Sequence, residues 1–478
     1  MAQSQHPSVS SRSLTSVGAR SLKWIKRRIP ERPMIFILSA LVGIGAGVMA
    51  WGVKSAIGFL SALITRSVNA TGPDLWLLLT PPAGVLIVVF LRKYFLHGDI
   101  SHGVRVIKKK IKAHDSSIPA QITFSPLLTA ALTLGFGGSA GTEGPIAFSG
   151  AALGSNTARA FGLNRQMAMI MMGCGAGAGI AAIFKAPVGG ALFTLEVLRM
   201  GLGSFGVMVL FVSTLIAGLT ATALEGFSLE MVMREVTAYD PHILPWVIAL
   251  GLFCGAYSLF YSYIMKLIEN LLDMVPNRWI KGSVSGLLVG ASLAVFPSLY
   301  GEGYSVMGGI LNGDFSVILF GTPFNSAETT VRTLLLTSAA IMAIKGFVTS
   351  LSYNGGGVTG EFAPTLFAGC FAGLVFGELC NVMFGSALPV SQMAFFAMAG
   401  VMAGAIRAPM MAIFIVVEMS SAYTLILPVA ITAGISFGIV RLFTSDSFFT
   451  RRMDRNNGLA SKLQKTIRKD DAERDGKL

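Results

Sequence analysis

The length, composition and charge of this chain point to a membrane protein. It has 478 residues, of which 53% are hydrophobic and 13% are charged, and its mean hydropathy is +0.67. A soluble domain has about 25% charged residues, so these values argue against a soluble multidomain enzyme and predict a polytopic protein in a lipid bilayer. None of the 4 cysteines and 5 histidines shows the spacing of a metal site, so we expect no metal, cofactor or enzymatic activity.

The net charge of +13 comes mostly from three clusters of basic residues. Residues 1–33 contain seven Lys and Arg, residues 92–112 contain seven, and residues 451–477 contain nine. Basic residues next to membrane spans mark the cytoplasmic side, so we expect both termini in the cytoplasm and the protein in the inner (plasma) membrane of a cell. Such clusters also occur in nucleic-acid-binding proteins, but no base-stacking module accompanies them, so we expect no nucleic-acid partner.

Apolar segments of unequal length follow one another along the chain. They cover residues 34–64 (with Lys54 inside), 75–95, 122–137, 144–160, 167–181, 187–200, 204–224, 244–270, 283–296, 329–351, 362–384, 391–404, 408–419 and 424–443. A straight transmembrane helix needs about 20 apolar residues, and several of these segments are shorter. The pattern therefore predicts broken or re-entrant helices, whose ends must be buried in protein or face a cavity.

The same pattern divides the chain into four parts. We predict a basic cytoplasmic N-terminal segment over residues 1–33, a first membrane half over 34–226, a second membrane half over 227–450, and a polar cytoplasmic tail over 451–478.

The two membrane halves contain matching motifs. Gly141-Thr-Glu-Gly-Pro145 in the first half corresponds to Gly360-Glu-Phe-Ala-Pro364 in the second. Each is followed by an apolar segment and an Ala-Pro pair, and nine residues separate Pro187 from Glu196 and Pro409 from Glu418. Apolar segments interrupted by Gly and Pro at matching places in two halves indicate a transport site between half-helices.

The residue types of these motifs suit the binding of an anion. A helix N-terminus presents unpaired N–H groups and a partial positive charge, and several such termini directed at one place bind an anion. Glycine allows the backbone to approach closely, and proline in the first helical turn loses no needed N–H. Each motif alone also fits a tight turn between membrane helices, but their recurrence in both halves favours the ligand site.

These motifs resemble those of the CLC family of chloride channels and proton/chloride antiporters. The resemblance rests on Gly141-x-Glu143-Gly144-Pro145, on Gly360-x-Phe362-x-Pro364, and on Ala186–Glu196 with its counterpart ending at Glu418, and it covers about residues 34–455. It implies an all-α, inverted-repeat membrane fold with broken and re-entrant helices, of the bacterial type without regulatory domains. It also implies a homodimer in which each subunit has its own anion pathway.

The first family motif, usually Gly-Ser-Gly-Ile-Pro, is altered to Ser-His-Gly-Val-Arg over residues 101–105. His102 stands where the family has a serine that contacts the central anion, and it is either an imidazole donor to the anion or a neutral residue at a helix start. Arg105 stands where the family has proline. It either joins Lys108–Lys112 in a cationic entrance surface or belongs to a positively charged cytoplasmic loop.

Glu143 is the strongest single candidate for function. A carboxylate within a membrane is costly and usually functional. The resemblance implies that the ionised side chain of Glu143 occupies an anion site and blocks the pathway, and that protonation moves it aside. The alternative is a glutamate that only caps its helix.

Three positions depart from the family pattern. Val197 stands where many proton-coupled members have an inner glutamate, and Phe449, or less surely Phe448, replaces a tyrosine whose hydroxyl contacts the anion. Glu361 stands where an apolar residue is common, although fluoride-exporting members also have a glutamate in this motif. Glu196 and Glu418 match each other in the repeat, so we expect them to be structural, hydrogen-bonded acids.

We therefore expect transport of chloride or another small anion, with two mechanisms open. Glu143 and the compact chain favour chloride/proton antiport, Val197 favours a passive channel, and Glu361 leaves a fluoride/proton antiporter as a less favoured choice. The predicted gating and proton-carrying residue is Glu143. The predicted anion-binding residues are His102, Gly103, Val104, Gly144, Glu361, Phe362 and Phe449.

Overall fold

The computed structural model describes residues 30–66, 76–96, 103–233, 239–324 and 330–444. The helices of the first half are α1 (Glu31–Thr65), α2 (Trp76–Tyr94), α3 (Gly103–Lys112), α4 (Ser125–Gly135), α5 (Glu143–Ala160), α6 (Arg165–Phe184), α7 (Pro187–Leu192) and α8 (Ser204–Leu224). The helices of the second half are α9 (Leu244–Asp273), α10 (Arg278–Val295), α11 (Tyr304–Leu311), α12 (Ser316–Leu319), α13 (Val331–Asn354), α14 (Phe362–Phe384), α15 (Val390–Ile406), α16 (Pro409–Ser420) and α17 (Ile426–Phe443). These residues contain no β-strand, so the predicted all-α fold is confirmed.

The hydropathy pattern located the membrane helices well. Eight helices of the described chain are long and apolar enough to cross a bilayer. Large apolar side chains face outward, as on α1, where Ile37 and Leu41 are 51% and 52% exposed, and on α8, where Leu215 and Leu219 are 50% and 54% exposed. Exposed apolar surface of this extent suits contact with lipid.

Helix α6 extends a few residues beyond the predicted range at each end, and it packs against α5 with the two backbones almost in contact. A Cβ atom on Gly150 would lie 2.1 Å from the carbonyl oxygen of Gly175, and one on Gly154 would lie 2.0 Å from that of Met171. Glycines at such places allow membrane helices to approach closely.

The two halves place corresponding helices in opposite directions. The guanidinium of Arg159, near the end of α5, donates to the Ile118 carbonyl beyond the end of α3. Phe384, at the end of α14, packs on Trp246 at the start of α9. Helix α9 runs from Trp246 towards α3, where its Glu269 pairs with Arg105. The end of α14 therefore lies far from α3, whereas the end of α5 lies close to it. Helices α5 and α14 thus end on opposite sides of the molecule. We call one of these sides the basic end. It contains α3, the ends of α2 and α9, and the start of α10.

Matched backbone geometry also reveals the repeat. Helices α6 and α15 end at Lys185 and Arg407, which have φ angles of 53° and 64°. Positive φ is uncommon for residues other than glycine, and here it occurs at equivalent positions of the two halves. In each case an alanine and a proline follow, and the proline begins the next short helix, where its missing N–H is not needed.

Glu196 and Glu418 each hold the short helix of the other half. The carboxylate of Glu418 accepts from the N–H groups of Val188 and Gly189, at 3.1 and 2.8 Å. The carboxylate of Glu196 accepts from those of Met410 and Met411, at 3.4 and 2.8 Å. Both acids therefore satisfy helix N-termini in a reciprocal arrangement, which confirms their predicted structural role.

The predicted boundaries between the four parts stay predictions. Helix α1 begins at Glu31 and is continuous through Lys54, so it starts just before the predicted first half. The tail over residues 451–478 and most of the N-terminal segment over residues 1–33 lie outside the described residues.

Candidate functional site

The two repeated motifs meet directly at the centre of the molecule. The N–H of Gly141 donates to the carbonyl of Gly360 at 3.1 Å, and the N–H of Gly360 donates to that of Gly141 at 2.5 Å, in an antiparallel pair. Helix α5 begins two residues after Gly141, and α14 begins two residues after Gly360. Two oppositely directed helix N-termini therefore share this point, and both present N–H groups to it.

The close approach of the two motifs and of the Glu143 carboxylate explains why residues 141 and 360 are glycines. A Cβ atom on Gly360 would lie 2.3 Å from Glu143 Oε2 and 2.7 Å from the backbone nitrogen of Gly144. A Cβ atom on Gly141 would lie 2.2 Å from the same carboxylate oxygen. No side chain fits at either position while the Glu143 carboxylate is in place.

The Glu143 carboxylate sits on the N-terminus of the opposite half's helix. Its Oε1 atom accepts from the N–H of Ala363 in the first turn of α14, at 2.6 Å. Its Oε2 atom has no hydrogen-bond partner within the described chain, and the residue is 1% exposed. The carboxylate therefore occupies a position that the α14 N-terminus makes favourable for an anion.

A cavity of about 10 Å³ lies between α3, α14 and α5, the helix that begins with Glu143. It is lined by Gly103, Val104, Gly144, Tyr353, Thr359, Gly360, Glu361 and Phe362. We call it the anion cavity. Five of the seven predicted anion-binding residues line it, whereas His102 and Phe449 lie outside the described residues. Tyr353, Thr359 and Gly360 line it as well and were not predicted.

Arg105 is buried rather than part of an exposed entrance surface. It is 7% exposed, its guanidinium lies 3.5 Å from a carboxylate oxygen of Glu269, and it lies 5.8 Å from the centre of the Tyr353 ring. It also interacts electrostatically with Glu361. The interpretation of Arg105 as an exposed cation is therefore wrong, because α3 turns this side chain inward to face the acids beside the anion cavity.

Glu302 is an acid near Glu143 that was not predicted from the sequence. Its Oε1 atom accepts from the N–H of Thr142 at 2.9 Å and from the Thr142 hydroxyl at 2.8 Å. It also interacts electrostatically with Glu143 and with Lys54. The signal was a lone acid between two glycines, Gly301-Glu302-Gly303, in an otherwise apolar stretch.

Lys345 is a second group that was missed. It is fully buried, its ammonium donates to the Ser139 hydroxyl at 2.9 Å, and it lies 4.3 Å from the centre of the Phe367 ring. It also interacts electrostatically with Glu143. A single lysine in the apolar segment 329–351 was the available signal, because an ionisable residue within a membrane helix is a functional candidate by default.

A cluster of four charged residues lies on the side away from the basic end, and we call it the outer cluster. Lys54 pairs with Glu230 at 2.5 Å, and Lys185 pairs with Glu225 at 2.5 Å. Glu230 interacts electrostatically with Glu302. Ionisable groups thus extend from this cluster through Glu302 to Glu143.

Two negative observations complete the site. The described residues contain no group of three or more His, Cys, Asp or Glu side chains placed to hold a metal ion. Val197, which stands where the resemblance would place an inner acid, is buried and apolar.

Comparison with known proteins gives consistent matches. The family model described as voltage gated chloride channel matches residues 83–441. The chain is similar to the putative chloride channel protein ClcB-like of Ralstonia nicotianae, with 25% identity over 392 residues that cover 79% of this chain and 86% of that protein. It is also similar to the H(+)/Cl(-) exchange transporter ClcA of Vibrio cholerae, with 28% identity over 309 residues that cover 63% of this chain and 62% of that protein.

Solved structures share the fold. A slow cyanobacterial Cl-/H+ antiporter aligns with a TM-score of 0.73 and 23% identity, covering 90% of this chain and 98% of that one. A CLC-type fluoride/proton antiporter aligns with a TM-score of 0.66 and 21% identity, covering 87% and 97%. At these identities the likeness is one of fold, and it agrees with the inverted halves described above.

Proposed function

This chain belongs to the CLC family, the voltage-gated chloride channels and their transporter relatives, and we propose that it exchanges chloride for protons across a membrane. It is a multi-pass membrane protein, and members of its family move ions and are not enzymes. Similarity to a ClcA exchange transporter supports proton coupling. The observation that carries the proposal is the Glu143 carboxylate, held on the N-terminus of α14 beside the anion cavity.

In the proposed cycle, Glu143 is the gate. While ionised, it takes the Ala363 N–H that would otherwise attract an anion, and it repels an anion in the cavity by its charge. Protonation removes that charge and weakens the hydrogen bond, since charge-assisted hydrogen bonds are the stronger kind. The side chain then leaves, and an anion from the cavity takes its place.

The anion is held mainly by partial charges. Gly103 and Val104 begin α3, Gly144 lies in the first turn of α5, and Phe362 begins α14, so three helix N-termini surround the cavity. Such termini bind an anion without a full positive charge. We assign His102 and Phe449 to the same site on sequence grounds alone.

Protons reach Glu143 from the two sides by different routes. On the side of the outer cluster, Glu302 and the Thr142 hydroxyl lie next to the gate. On the basic end, Val197 offers no acid, so the route passes through water in the anion cavity and by Glu361, which lines it. The positive charge of Arg105 offsets the negative charge of Glu361. This reduces the repulsion that an anion meets when it enters beside this acid.

Two observations favour alternative functions. The apolar Val197 favours a passive chloride channel, because a fixed inner acid for protons is absent at that position. The buried Glu361, together with the shared fold of a fluoride/proton antiporter, favours fluoride as the transported anion. Retention of Glu143 and the acids leading to it makes chloride/proton exchange our first choice.

We also propose a homodimer with both termini in the cytoplasm of a bacterial cell. The dimer follows from membership of the family. The orientation rests on the basic residues at the ends of the chain and between residues 92 and 112, which mark the cytoplasmic side, and several of them lie at the basic end described above.

A reversal-potential measurement tests this function. Purified protein is placed in a planar bilayer under imposed chloride and pH gradients. We expect a reversal potential between the equilibrium potentials of chloride and of protons. A value equal to the chloride potential at every pH gradient identifies a channel, and a larger current in fluoride than in chloride identifies the fluoride alternative.

A further inference from the structure

The turn that precedes α11 is tied to the segment that leads into Glu143. The hydroxyl of Tyr300 donates to the carbonyl of Gly135 at 2.5 Å. Two residues further along the turn, the Glu302 carboxylate accepts from the N–H and the hydroxyl of Thr142. These bonds join a turn of the second half to a segment of the first half, and they hold it alongside Glu143.

Packing against α14 fixes the place where α11 begins. Gly303, the residue before α11, has a φ of 80°, in the left-handed region that favours glycine. A Cβ atom on Gly303 would lie 2.4 Å from the ring of Phe367 on α14. The turn therefore lies against the helix whose N-terminus holds the Glu143 carboxylate, and Tyr304 follows as the first residue of α11.

The hydroxyl of Tyr304 is buried and has no hydrogen-bond partner within the described part of the chain, and the same is true of Glu143 Oε2. A buried polar group without a hydrogen bond is costly, so each such group calls for an explanation. Tyr304 interacts electrostatically with Glu143, Glu302 and Glu230, and Glu143 interacts with Glu302 as well. The two unpaired groups thus interact with each other and with the same acid.

We propose that the Tyr304 hydroxyl relays protons between Glu302 and Glu143. The inference rests on the proposed exchange of chloride for protons. A tyrosine hydroxyl can both donate and accept a hydrogen bond, so it can take a proton from one acid while it gives its own proton to another. Thr142 occupies the Oε1 atom of Glu302, which leaves Oε2 to carry the proton.

The relay moves one proton and leaves the tyrosine neutral. The O–H bond of protonated Glu302 breaks as an O–H bond forms on the Tyr304 oxygen. The original O–H bond of the tyrosine breaks in the same step, and its proton bonds to Glu143 Oε2. Glu302 becomes a carboxylate, Glu143 becomes a neutral acid, and a turn of the hydroxyl about its C–O bond restores the starting arrangement. The reverse step returns a proton from Glu143 to Glu302.

The test removes the hydroxyl alone. Tyr304→Phe keeps the aromatic ring and its packing. The control, Tyr300→Phe, removes a hydroxyl from the same turn, where its bond to the Gly135 carbonyl is structural. Proton and chloride fluxes are measured in the same proteoliposomes under an imposed chloride gradient.

We expect Tyr304→Phe to slow proton transport by about tenfold, whereas Tyr300→Phe should transport protons at the wild-type rate. In a Glu143→Gln background the relay has no acid to protonate, so adding Tyr304→Phe should leave the remaining chloride flux unchanged. A loss of chloride flux in that background, or equal slowing of proton transport by Tyr300→Phe, would assign the effect to packing and overturn the relay.

A double variant tests whether Glu302 and Tyr304 act in one route. Residues that act as a unit have non-additive effects, so Glu302→Gln/Tyr304→Phe should be no slower in proton transport than the slower single variant. Multiplied effects would place the two residues on separate routes and contradict the relay. Wild-type protein that moves chloride without protons overturns the exchange itself and the relay with it, whereas proton transport that Tyr304→Phe leaves intact overturns the relay alone.

Discussion

At the scale of single residues, our proposal gives the Glu143 carboxylate two roles, as a gate for the anion and as a carrier of protons. Its Oε1 atom accepts from a helix N–H that suits an anion, and in the proposed cycle its protonation state decides whether it stays there. An acid, Glu302, and a base, Lys345, both interact with it electrostatically. Glu143 therefore lies between an acid and a base within a buried site, where electrostatic interactions are stronger than in water.

The first prediction concerns Glu143→Gln. The amide is neutral at every pH and so imitates the protonated gate. We expect chloride flux in the variant to be nearly independent of external pH, whereas wild-type flux rises as pH falls and Glu143 gains its proton. The measurement is chloride efflux from proteoliposomes at a series of external pH values from acidic to alkaline.

Asp115→Asn is the matched control, because Asp115 is a half-exposed acid that pairs with Lys110 at the basic end. It should keep the wild-type pH profile. If Glu143→Gln also kept that profile, Glu143 would not be the gate.

The second prediction concerns Glu302. Glu302→Gln keeps an acceptor for Thr142 but cannot carry a proton, so we expect proton transport to slow by about tenfold or more while chloride binding is unchanged. Glu302→Asp retains the acid and should recover much of the rate. Proton flux is followed with a pH electrode under a fixed chloride gradient, and a Gln variant as fast as the wild type would exclude Glu302 from the route.

At the scale of helices, the architecture depends on N-termini that meet across the two halves. Helices α5 and α14 start beside the Gly141–Gly360 pair, and the short helices α7 and α16 are capped by acids from opposite halves. Half-helices that begin inside a membrane need such partners, because lipid cannot satisfy their N–H groups. In the proposed function, the N–H groups at these helix starts also attract the anion.

The third prediction tests the reciprocal caps. Glu418→Ala leaves the N–H groups of Val188 and Gly189 without their acceptor, so we expect the free energy of unfolding to fall by about 1–3 kcal/mol. Thermal unfolding in detergent measures the change. Glu378→Ala, which removes a half-buried acid from α14, is the control and should shift the midpoint much less; equal shifts would argue against the capping role.

The fourth prediction tests the close approach at the centre. Gly360→Ala places a methyl group 2.3 Å from Glu143 Oε2 and 2.7 Å from the Gly144 nitrogen, so the pair of motifs must separate and chloride flux should be lost. Gly308→Ala adds a methyl group in α11 with nothing within 4 Å, and its flux should equal that of the wild type. A fully active Gly360→Ala protein would contradict the geometry of the site.

At the scale of the whole molecule, the fold was largely predictable because membrane burial dictates hydropathy. Every apolar segment from 34–64 to 424–443 contains a helix or most of one, and the repeat of Pro187–Glu196 in Pro409–Glu418 indicated two equivalent halves. The meeting of Gly141 and Gly360 follows from the same repeat, since inverted halves bring equivalent motifs to one point.

The charged surroundings of the site were less predictable. Glu302 bonds to Thr142 and Arg105 pairs with Glu269, and in both cases the partner is far away in the chain. The neighbouring sequence therefore gives no sign of these contacts. Arg105 next to a run of lysines suggested an exposed cation, but its position on α3 faces it towards Glu269. Periodicity locates helices, whereas the pairing of buried charges depends on how those helices pack.

The most direct test of the account is proton uptake by proteoliposomes that contain the wild-type protein. An outward chloride gradient is imposed, and potassium with valinomycin sets the membrane potential so that protons have no driving force of their own. We predict that chloride leaving the vesicles drives protons inward, so that the vesicle interior becomes more acidic than the medium, and that Glu143→Gln abolishes this uptake while chloride still leaves. Chloride efflux from the wild type with no proton movement would contradict the exchange mechanism and identify the protein as a channel.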